Sequence, residues 1–176
     1  PALRGRFQMQ NAAGVVQVLE LLSERLPVSL QHLRQGLLAV KLPGRFQILP
    51  GEVPLIVDVA HNPQAAASLA ANLKQMPLAG KTRAVVAMLA DKDLAAVVRE
   101  LIPVVDNWYV AGLNVWRGCD GAALATAVEA QSNTAPRVFE SVDDALQQAR
   151  GEAQAGDRIV VFGSFYTVAA ALVARV

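Results

Sequence analysis

The hydrophobic pattern divides the chain into an N-terminal helical stretch and a longer part in which strands and helices alternate. Apolar residues at positions 12, 15, 16, 19 and 22 form one helical stripe. A second helix is predicted to begin at Ser29, with leucines at 30, 33 and 37. We therefore expect residues 1–41 to be the terminal helices of a preceding domain, and residues 42–176 to form a domain of their own.

The alternating part predicts an α/β fold. The expected strands are 45–49, 54–58, 83–89, 106–111, 136–139 and 158–163. The expected helices are 63–76, 92–102, 120–131, 141–154 and 165–175. This order indicates a mainly parallel sheet of about six strands with helices on both faces. The run at 45–49 would add an antiparallel edge strand through a turn with Pro50 and Gly51 at its centre.

Polar residues at the end of the strand at 54–58 are the first candidates for function, because parallel sheets bind ligands at the carboxyl ends of their strands. In "VDVAHNPQAA", residues 57–66, Asn62 suits a helix N-cap and Pro63 the first helical position. Asp58 and His61 remain. Asp58 suits hydrogen bonds from sugar hydroxyls or from nearby loop amides. His61 suits either a ligand contact or a loop hydrogen bond.

The other strand exits add charged and hydroxyl residues. Asp91 is predicted as an N-cap, with Lys92 and Asp93 as charges of the first helical turn. Lys92 and Arg117 are candidate substrate-binding cations, because cations beside helix N-termini favour a carboxylate or a phosphate. Ser164 opens the last helix and suits a cap better than a nucleophile, since "GSF" lacks the Gly-x-Ser-x-Gly pattern.

Composition narrows the classes of function. The 176 residues carry a net charge of +1 without a basic stripe, which argues against nucleic-acid binding. One cysteine, Cys119, leaves no disulfide framework and fits the cytoplasm. No apolar run approaches the roughly 18 residues that span a bilayer. The two histidines, His32 and His61, are too far apart in sequence to suggest a zinc site, and no dinucleotide or Walker glycine motif is present.

Five motifs in a fixed order resemble one family: "NAAG", "LPGRFQ", "LIVDVAHNP", "AMLADKD" and "VVFGSFYTVA". The chain resembles the Mur ligase superfamily, and within it the bifunctional dihydrofolate synthase/folylpolyglutamate synthases, over nearly its whole length. The resemblance implies a Rossmann-like Mur ligase C-terminal domain. It also implies a longer parent protein, with a phosphate loop and a central ATPase domain upstream. The earlier "GRFQ" at 5–8 is interpreted as a coincidence.

The resemblance implies an ATP-dependent ligase of folate biosynthesis and one-carbon metabolism. Such enzymes add L-glutamate to dihydropteroate and to folates, and ATP first converts the accepting carboxylate into an acyl phosphate. The Mg²⁺ ligands are expected in the missing N-terminal part, so no metal ligand is assigned here. The chain alone is expected to be inactive, and the parent to be a cytoplasmic monomer in which this domain packs on the central one.

The resemblance assigns roles residue by residue: Asn11 near the adenine, Arg45 at the phosphates, Asp58 at the ribose, and His61 and Ser164 as catalytic residues that place glutamate. Trp116 departs from the family pattern, because relatives tend to have proline before the arginine. The sequence leaves two alternatives open. One is a peptidoglycan Mur-type amino-acid ligase domain, and the other is a non-catalytic module that binds a nucleotide or a carboxylate.

Overall fold

The computed structural model describes residues 2–3, 5–132 and 134–174. Two helices come first, α1 (Arg6–Leu21) and α2 (Leu30–Ala39). Ser29 caps α2 as predicted, because its hydroxyl accepts a hydrogen bond from the His32 amide at 3.2 Å. Residues 2, 3, 5 and 7–43 include no buried residue. The two helices therefore add nothing to the core of the following fold, and the boundary at residue 41 stays a prediction.

The six strands form one sheet, as the sequence predicts: β1 (Gln47–Leu49), β2 (Leu55–Asp58), β3 (Thr82–Val86), β4 (Asn107–Ala111), β5 (Arg137–Phe139) and β6 (Arg158–Phe162). Their order is β1-β2-β6-β3-β4-β5. β1 is antiparallel to β2, and all other neighbours are parallel. The β1–β2 connection covers five residues, 50–54, and is wider than the predicted turn. Prolines 50 and 54 stand at its two ends, and neither has an N–H with which to extend the ladder.

The helices alternate with the strands in the predicted order: α3 (Pro63–Lys74), α4 (Leu94–Leu101), a 3-10 turn (Ile102–Val104), α5 (Gly121–Glu129), α6 (Val142–Glu152) and α7 (Phe165–Val173). Asn62 caps α3 and Pro63 is its first residue, as predicted, with the Asn62 side chain 2.9 Å from the Ala65 amide. The predicted end of the last helix, residue 175, lies outside the described residues. None of the described helices has the length and apolar character needed to cross a membrane.

The sheet is buried on both faces by two separate layers of helices. Along β6, Val160 and Phe162 pack with Trp108 against α3, α4 and α5. The alternate residues Ile159 and Val161 pack against α6 and α7. Every residue of β3 and β6 is buried, and each large apolar side chain contributes roughly 1.5–3 kcal/mol. This burial explains why the central strands read as continuous apolar runs in the sequence.

The chain leaves neighbouring strands in opposite directions at the carboxyl edge of the sheet. β2 leads into α3 on one face, whereas its neighbour β6 leads into α7 on the other face. Such a divergence opens a crevice outside the strand ends, where α/β proteins bind ligands. Gly163 makes the exit of β6 possible, because its φ is 123° and a Cβ there would collide with the Ala87 carbonyl oxygen.

Candidate functional site

A cleft of about 600 Å³ lies between α1, the segment before β1 and the length of α3. It brings together Asn11, Arg45 and Asp58, the three residues predicted to contact a nucleotide. Both copies of Gly-Arg-Phe-Gln, at 5–8 and 44–47, contribute to its walls. The remaining predicted site residues lie outside these walls: His61, Lys92, Arg117 and Ser164. The predicted site residues therefore fall into two groups. Three of them line the cleft, and the other four lie at neighbouring strand exits.

Asp58 ends β2 and joins it to the segment before β1. Its Oδ2 accepts a hydrogen bond from the Phe46 amide and its Oδ1 from the Ala60 amide, both at 2.8 Å. Burial raises the pKa of the Asp58 carboxyl, and the two amides and nearby Arg45 counteract part of that rise. Asp58 therefore makes the hydrogen bonds to nearby loop amides that its structural interpretation requires. A carboxylate has about four acceptor positions, so capacity remains for a ligand hydroxyl.

Arg45 stands between two residues with left-handed backbone, Gly44 at φ 69° and Phe46 at φ 44°. A positive φ at a bulky residue such as Phe46 costs on the order of 1–3 kcal/mol, and the Asp58 hydrogen bond helps to hold it. The Arg45 guanidinium lies 5.8 Å from the centre of the exposed Phe165 ring. In the part of the chain that the structure describes, Arg45 forms no ion pair, so its charge is available to an anion.

His61 follows β2 by three residues and is half-buried. Its Nδ1 lies 2.8 Å from the Val59 carbonyl oxygen. A carbonyl only accepts, so in the neutral ring Nδ1 carries the hydrogen and Nε2 is an acceptor. The contact with Val59 secures the loop, as the structural interpretation requires, and leaves the other ring nitrogen for a ligand.

Ser164 caps α7, as its position in the sequence predicts, and only 5% of it is exposed. Its Oγ accepts from the Thr167 amide at 3.0 Å and lies 2.7 Å from Thr167 Oγ1. Thr167 Oγ1 in turn donates to the Ala87 carbonyl oxygen at 2.6 Å. Sequence reasoning missed Thr167. The available signal was its place three residues after a capping serine, where a side chain meets the cap.

The prediction that Asp91 caps α4 is wrong. The helix begins at Leu94, and the side chain of Asp93 accepts the hydrogen bond from the Ala96 amide at 2.9 Å. Asp91 lies two residues too early to reach the first turn. Asp93, predicted as a first-turn charge, is the capping residue instead.

Asp91 serves as the shared partner of two cations. Its Oδ2 lies 3.2 Å from both Lys92 Nζ and Arg117 Nη1. The Lys92 hydrogen bond is the main reason that the pKa of the Asp91 carboxyl is lowered. Arg117 has a φ of 64° and stacks 4.7 Å from the centre of the exposed Trp116 ring. Both predicted substrate-binding cations thus already form an ion pair with Asp91, which partly neutralises their charge. Arg45 is therefore more available to an anion than either of them.

Metal binding finds no support in this part of the chain. Within 2–3, 5–132 and 134–174, no group of three or more histidine, cysteine or acidic side chains could hold an ion. Cys119 is buried, and burial raises the pKa of its thiol. The described residues therefore offer no cluster of three or more such side chains to a metal ion.

Comparison with known proteins gives consistent relatives. The dihydrofolate synthase/folylpolyglutamate synthase of Escherichia coli (strain K12) is 41% identical over 159 residues, which are 90% of this chain and 36% of that protein. The structure of E. coli FolC in complex with DHPP and ADP has a TM-score of 0.84 and 39% identity, covering 92% of this chain and 37% of the other. The chain thus spans little more than a third of the length of these two relatives.

A third similar structure is a bifunctional folylpolyglutamate synthase/dihydrofolate synthase with Mn, AMPPNP and L-glutamate bound. It is 43% identical, has a TM-score of 0.80, and covers 88% of this chain and 37% of the other. The family model of the Mur ligase glutamate ligase domain matches residues 44–165, which include all six strands. The chain therefore belongs to the Mur ligase family, as its glutamate ligase domain.

Proposed function

We propose that the chain is the C-terminal domain of an ATP-dependent ligase that joins L-glutamate to dihydropteroate and to folates. The cleft that unites Arg45 and Asp58 is the observation that carries this proposal. A cation and a carboxylate in one cavity suit the two ends of a ribose phosphate. Its volume of about 600 Å³ is within the range of small-molecule sites. Relatives bound to ADP, AMPPNP and L-glutamate support the same ligands.

Each cleft residue has a role that its chemistry supports. The Arg45 guanidinium is charged and forms no ion pair in the described chain, so it offsets phosphate charge. Asp58 accepts from ribose hydroxyls with the acceptor positions that Phe46 and Ala60 leave open. Asn11 is exposed on α1 and supplies both a donor and an acceptor for the edge of an adenine.

The reaction proceeds in two transfers. An oxygen of the acceptor carboxylate attacks the γ-phosphorus of ATP, and ADP leaves. The amine nitrogen of glutamate then attacks the acyl carbon, the amide bond forms, and inorganic phosphate leaves as the amine loses a proton. This chain's share is to hold the nucleotide at Arg45 and Asp58 and to place glutamate at His61 and Ser164. Fixing the amine near the acyl carbon is where positioning accelerates such a step.

The rest of the ligase belongs to the part of the parent protein that this chain does not span. The described residues offer Mg²⁺ no cluster of three or more ligating side chains. The metal would supply charge neutralisation at the transferring phosphate from outside this chain. We propose a cytoplasmic, monomeric enzyme in which this domain packs on the central ATPase domain and closes the nucleotide between them.

A substrate comparison tests the proposal. The parent protein, supplied with Mg²⁺, ATP and L-glutamate, should release ADP when dihydropteroate or a folate is added, with a product heavier by one glutamyl residue. The same assay with a peptidoglycan precursor as acceptor should give no product. Release only with the peptidoglycan precursor would favour a cell-wall ligase, and release with neither would favour a binding module.

The 176-residue chain alone provides the control. It should show no glutamate-dependent ATP hydrolysis and only weak ATP binding, since the rest of the nucleotide site is missing. Turnover by the isolated chain, or micromolar ATP binding in a titration, would contradict the proposed division of the site.

A further inference from the structure

Arg45 is an exposed residue whose two neighbours in sequence are buried. Gly44 and Phe46 have left-handed backbone, with φ of 69° and 44°, and both are buried. A Cβ on Gly44 would lie 2.9 Å from Val59 Cγ1, so the turn at 44–46 packs closely against the residue that follows Asp58. The base of the turn is therefore fixed in the fold, while Arg45 lines the cleft.

Hydrogen bonds from the end of β2 and from Gln47 hold this turn. The Val59 amide donates to the Gly44 carbonyl oxygen at 2.9 Å. The Phe46 amide donates to Asp58 Oδ2 at 2.8 Å. The side chain of Gln47 adds a third bond, in which its Oε1 accepts from the Gly44 amide at 3.1 Å. An amide N–H only donates, so the carbonyl oxygen of Gln47, and not its NH2 group, faces Gly44.

Gln47 links the turn to the sheet. It is the first residue of β1 and stands opposite Val57 in the antiparallel pair. It is half-buried, and it does not line the cleft. Any effect of Gln47 on a bound nucleotide therefore passes through the turn that carries Arg45.

The earlier Gly-Arg-Phe-Gln stretch, at 5–8, has the same sequence but a different structure. Gly5 has a φ of 106° and precedes α1, and Gln8 lies within that helix. In this copy the glutamine Oε1 accepts from Asn11 Nδ2 at 3.2 Å. The two glutamines therefore hold different groups, and the bond between Gln47 and Gly44 depends on the turn that precedes β1.

We propose that Gln47 is a positioning residue whose carbonyl oxygen holds the 44–46 turn in the conformation in which Arg45 meets the phosphates of a bound nucleotide. The inference rests on the proposed function, which assigns Arg45 to phosphate, and it adds a residue that touches no ligand. A turn that is held before the ligand arrives loses less conformational freedom on binding. The bond from Gln47 to Gly44 therefore strengthens binding of the phosphates.

Titration of the parent protein with ATP and with adenosine tests the inference, because adenosine has the base and ribose of ATP but no phosphate. Gln47→Met keeps an unbranched side chain of similar length, and its sulfur is only a weak acceptor. We expect the Kd for ATP to rise roughly three- to tenfold, the size of one hydrogen bond between neutral groups. The Kd for adenosine should change less than about twofold, since Asp58 keeps its bond from the Ala60 amide.

Two further variants separate positioning from folding. Gln148→Met is the matched control, because Gln148 is also half-buried but donates to Glu152 at 2.6 Å within α6, and it should leave both Kd values unchanged. Gln47→Asn withdraws the carbonyl oxygen by one methylene and should reproduce the selective loss of ATP binding, even where Gln47→Met does not fold. Equal losses for ATP and adenosine in Gln47→Asn would overturn the inference, because the bond would then serve the whole cleft.

A double-mutant cycle with Arg45→Met shows whether the effect passes through the guanidinium. With Arg45 already replaced, Gln47→Met should raise the Kd for ATP by less than about twofold further. A further rise as large as the one in the wild-type background would also overturn the inference, because Gln47 would then act independently of Arg45.

The titration also separates the inference from the proposed function. If the wild-type parent protein binds ATP but shows no glutamate-dependent ADP release, the proposed ligase function fails, and the ATP and adenosine constants still decide the role of Gln47. If release is normal and Gln47→Met leaves the Kd for ATP unchanged, only the inference is overturned. A wild-type parent protein that binds no ATP would overturn both.

Discussion

Charged residues lie at both ends of the parallel strands, at the edge where the strands begin (the amino edge) and at the edge where they end (the carboxyl edge). Their interactions differ between the two edges. At the amino edge, Arg83 and Asp157 are buried and face each other at 2.9 Å. At the carboxyl edge, Arg45 is exposed and Asp58 is half-buried, with backbone amides as its partners. The same two residue types therefore occur at both edges. Arg83 and Asp157 form an ion pair at the amino edge, the closed pair, whereas Arg45 and Asp58 form none in the described chain at the carboxyl edge, the open edge.

At the amino edge, Arg83 and Asp157 make their hydrogen bonds to other groups of the protein. The Arg83 Nη1 donates to the Tyr109 hydroxyl at 2.8 Å, and that hydroxyl donates to Glu152 at 2.6 Å. Asp157 also accepts from the amides of Lys81 at 2.7 Å and Gln154 at 3.1 Å. Buried charges that are satisfied in this way hold α6 and the α6–β6 loop to the sheet, and they have little capacity left for a ligand.

A second cavity, of about 470 Å³, opens at this amino edge, and its charged walls include Asp157 and Arg158. Arg158 already donates to Thr82 Oγ1 at 2.9 Å and to the Leu73 carbonyl at 2.7 Å. Cavity size alone would make the two edges similar. The two edges differ in whether a charged side chain is free to bind a ligand. Arg45 at the carboxyl edge forms no ion pair in the described chain, whereas Asp157 and Arg158 at the amino edge are engaged by other protein groups.

The largest effect should come from opening the closed pair. Asp157→Ala leaves the buried Arg83 guanidinium with Glu152, at 3.6 Å, as its remaining carboxylate partner. Breaking one side of a buried pair costs roughly 3–5 kcal/mol. We expect this loss in the free energy of unfolding of the chain, measured by urea denaturation. Asp143→Ala, an exposed aspartate in the first turn of α6, is the matched control and should change stability by less than about 0.5 kcal/mol.

Lowering the pH should change the stability contributions of Asp157 and Asp58 in opposite directions. Burial alone would raise the pKa of Asp157, but hydrogen bonds from Lys81, Gln154 and Arg83 outweigh it and the pKa is lowered. Asp157 therefore stabilises the fold above the usual aspartate pKa, about 3.9, and this contribution is lost as pH falls through its folded value. The pKa of Asp58 is raised, so its ionisation costs stability instead.

Urea denaturation between neutral and acidic pH measures this difference. Asp157→Asn should flatten the loss of stability at acid pH, whereas Asp58→Asn should not flatten it. If both variants keep the wild-type acid profile, the contrast between the edges does not extend to their protonation.

At the open edge, Asp58→Ala should weaken ATP binding in the parent enzyme more than it alters the chemical step. Losing a hydrogen bond to a charged group costs roughly 1.5–3 kcal/mol, or about a 10- to 150-fold rise in the ATP constant. The Phe46 amide also loses its partner, so a lower melting temperature should accompany the effect. Asp120→Ala removes another carboxyl-edge aspartate, the cap of α5, and serves as control. An ATP constant unchanged in Asp58→Ala would leave Asp58 a purely structural residue.

His61→Ala tests whether the open edge has separate nucleotide and glutamate parts. We expect the glutamate constant to rise roughly tenfold and turnover to fall, because the amine is no longer held in the geometry for attack. The ATP constant should stay nearly unchanged, since His61 does not line the cleft. Equal damage to both substrates with a lower melting temperature would mean that the contact with Val59 is the whole role of His61.

Much of the fold was predictable because its signals are local. Strand and helix types follow from periodicity, and the caps at Ser29, Asn62 and Ser164 follow from residue type and position. The Asp91 cap failed because two aspartates, at 91 and 93, compete two residues apart. Only the actual start of the helix decides between them.

Parts of both edges were not predictable, since they depend on residues distant in sequence. Arg83 and Asp157 are 74 positions apart and meet only because β3 and β6 are neighbours. Thr167 reaches Ala87 over 80 positions for the same reason. A search limited to strand exits finds Asp58 and Ser164. It passes over the amino edge and over Thr167, the buried hydrogen-bond partner of Ser164.

The smallest expected effect concerns how the open charge is held. The Arg45 guanidinium faces the Phe165 ring at 5.8 Å, a cation–π contact worth roughly 0.5–1 kcal/mol at an exposed site. Phe165→Leu keeps an apolar side chain but removes the ring, so the ATP constant of the parent enzyme should rise about two- to fivefold. Tyr166→Leu, which changes the exposed aromatic residue next in sequence, should leave that constant unchanged. If both variants raise it alike, helix α7 and not the ring is responsible. If neither variant raises it, the ring does not hold Arg45, and the position of Arg45 depends on the left-handed residues on either side of it, Gly44 and Phe46.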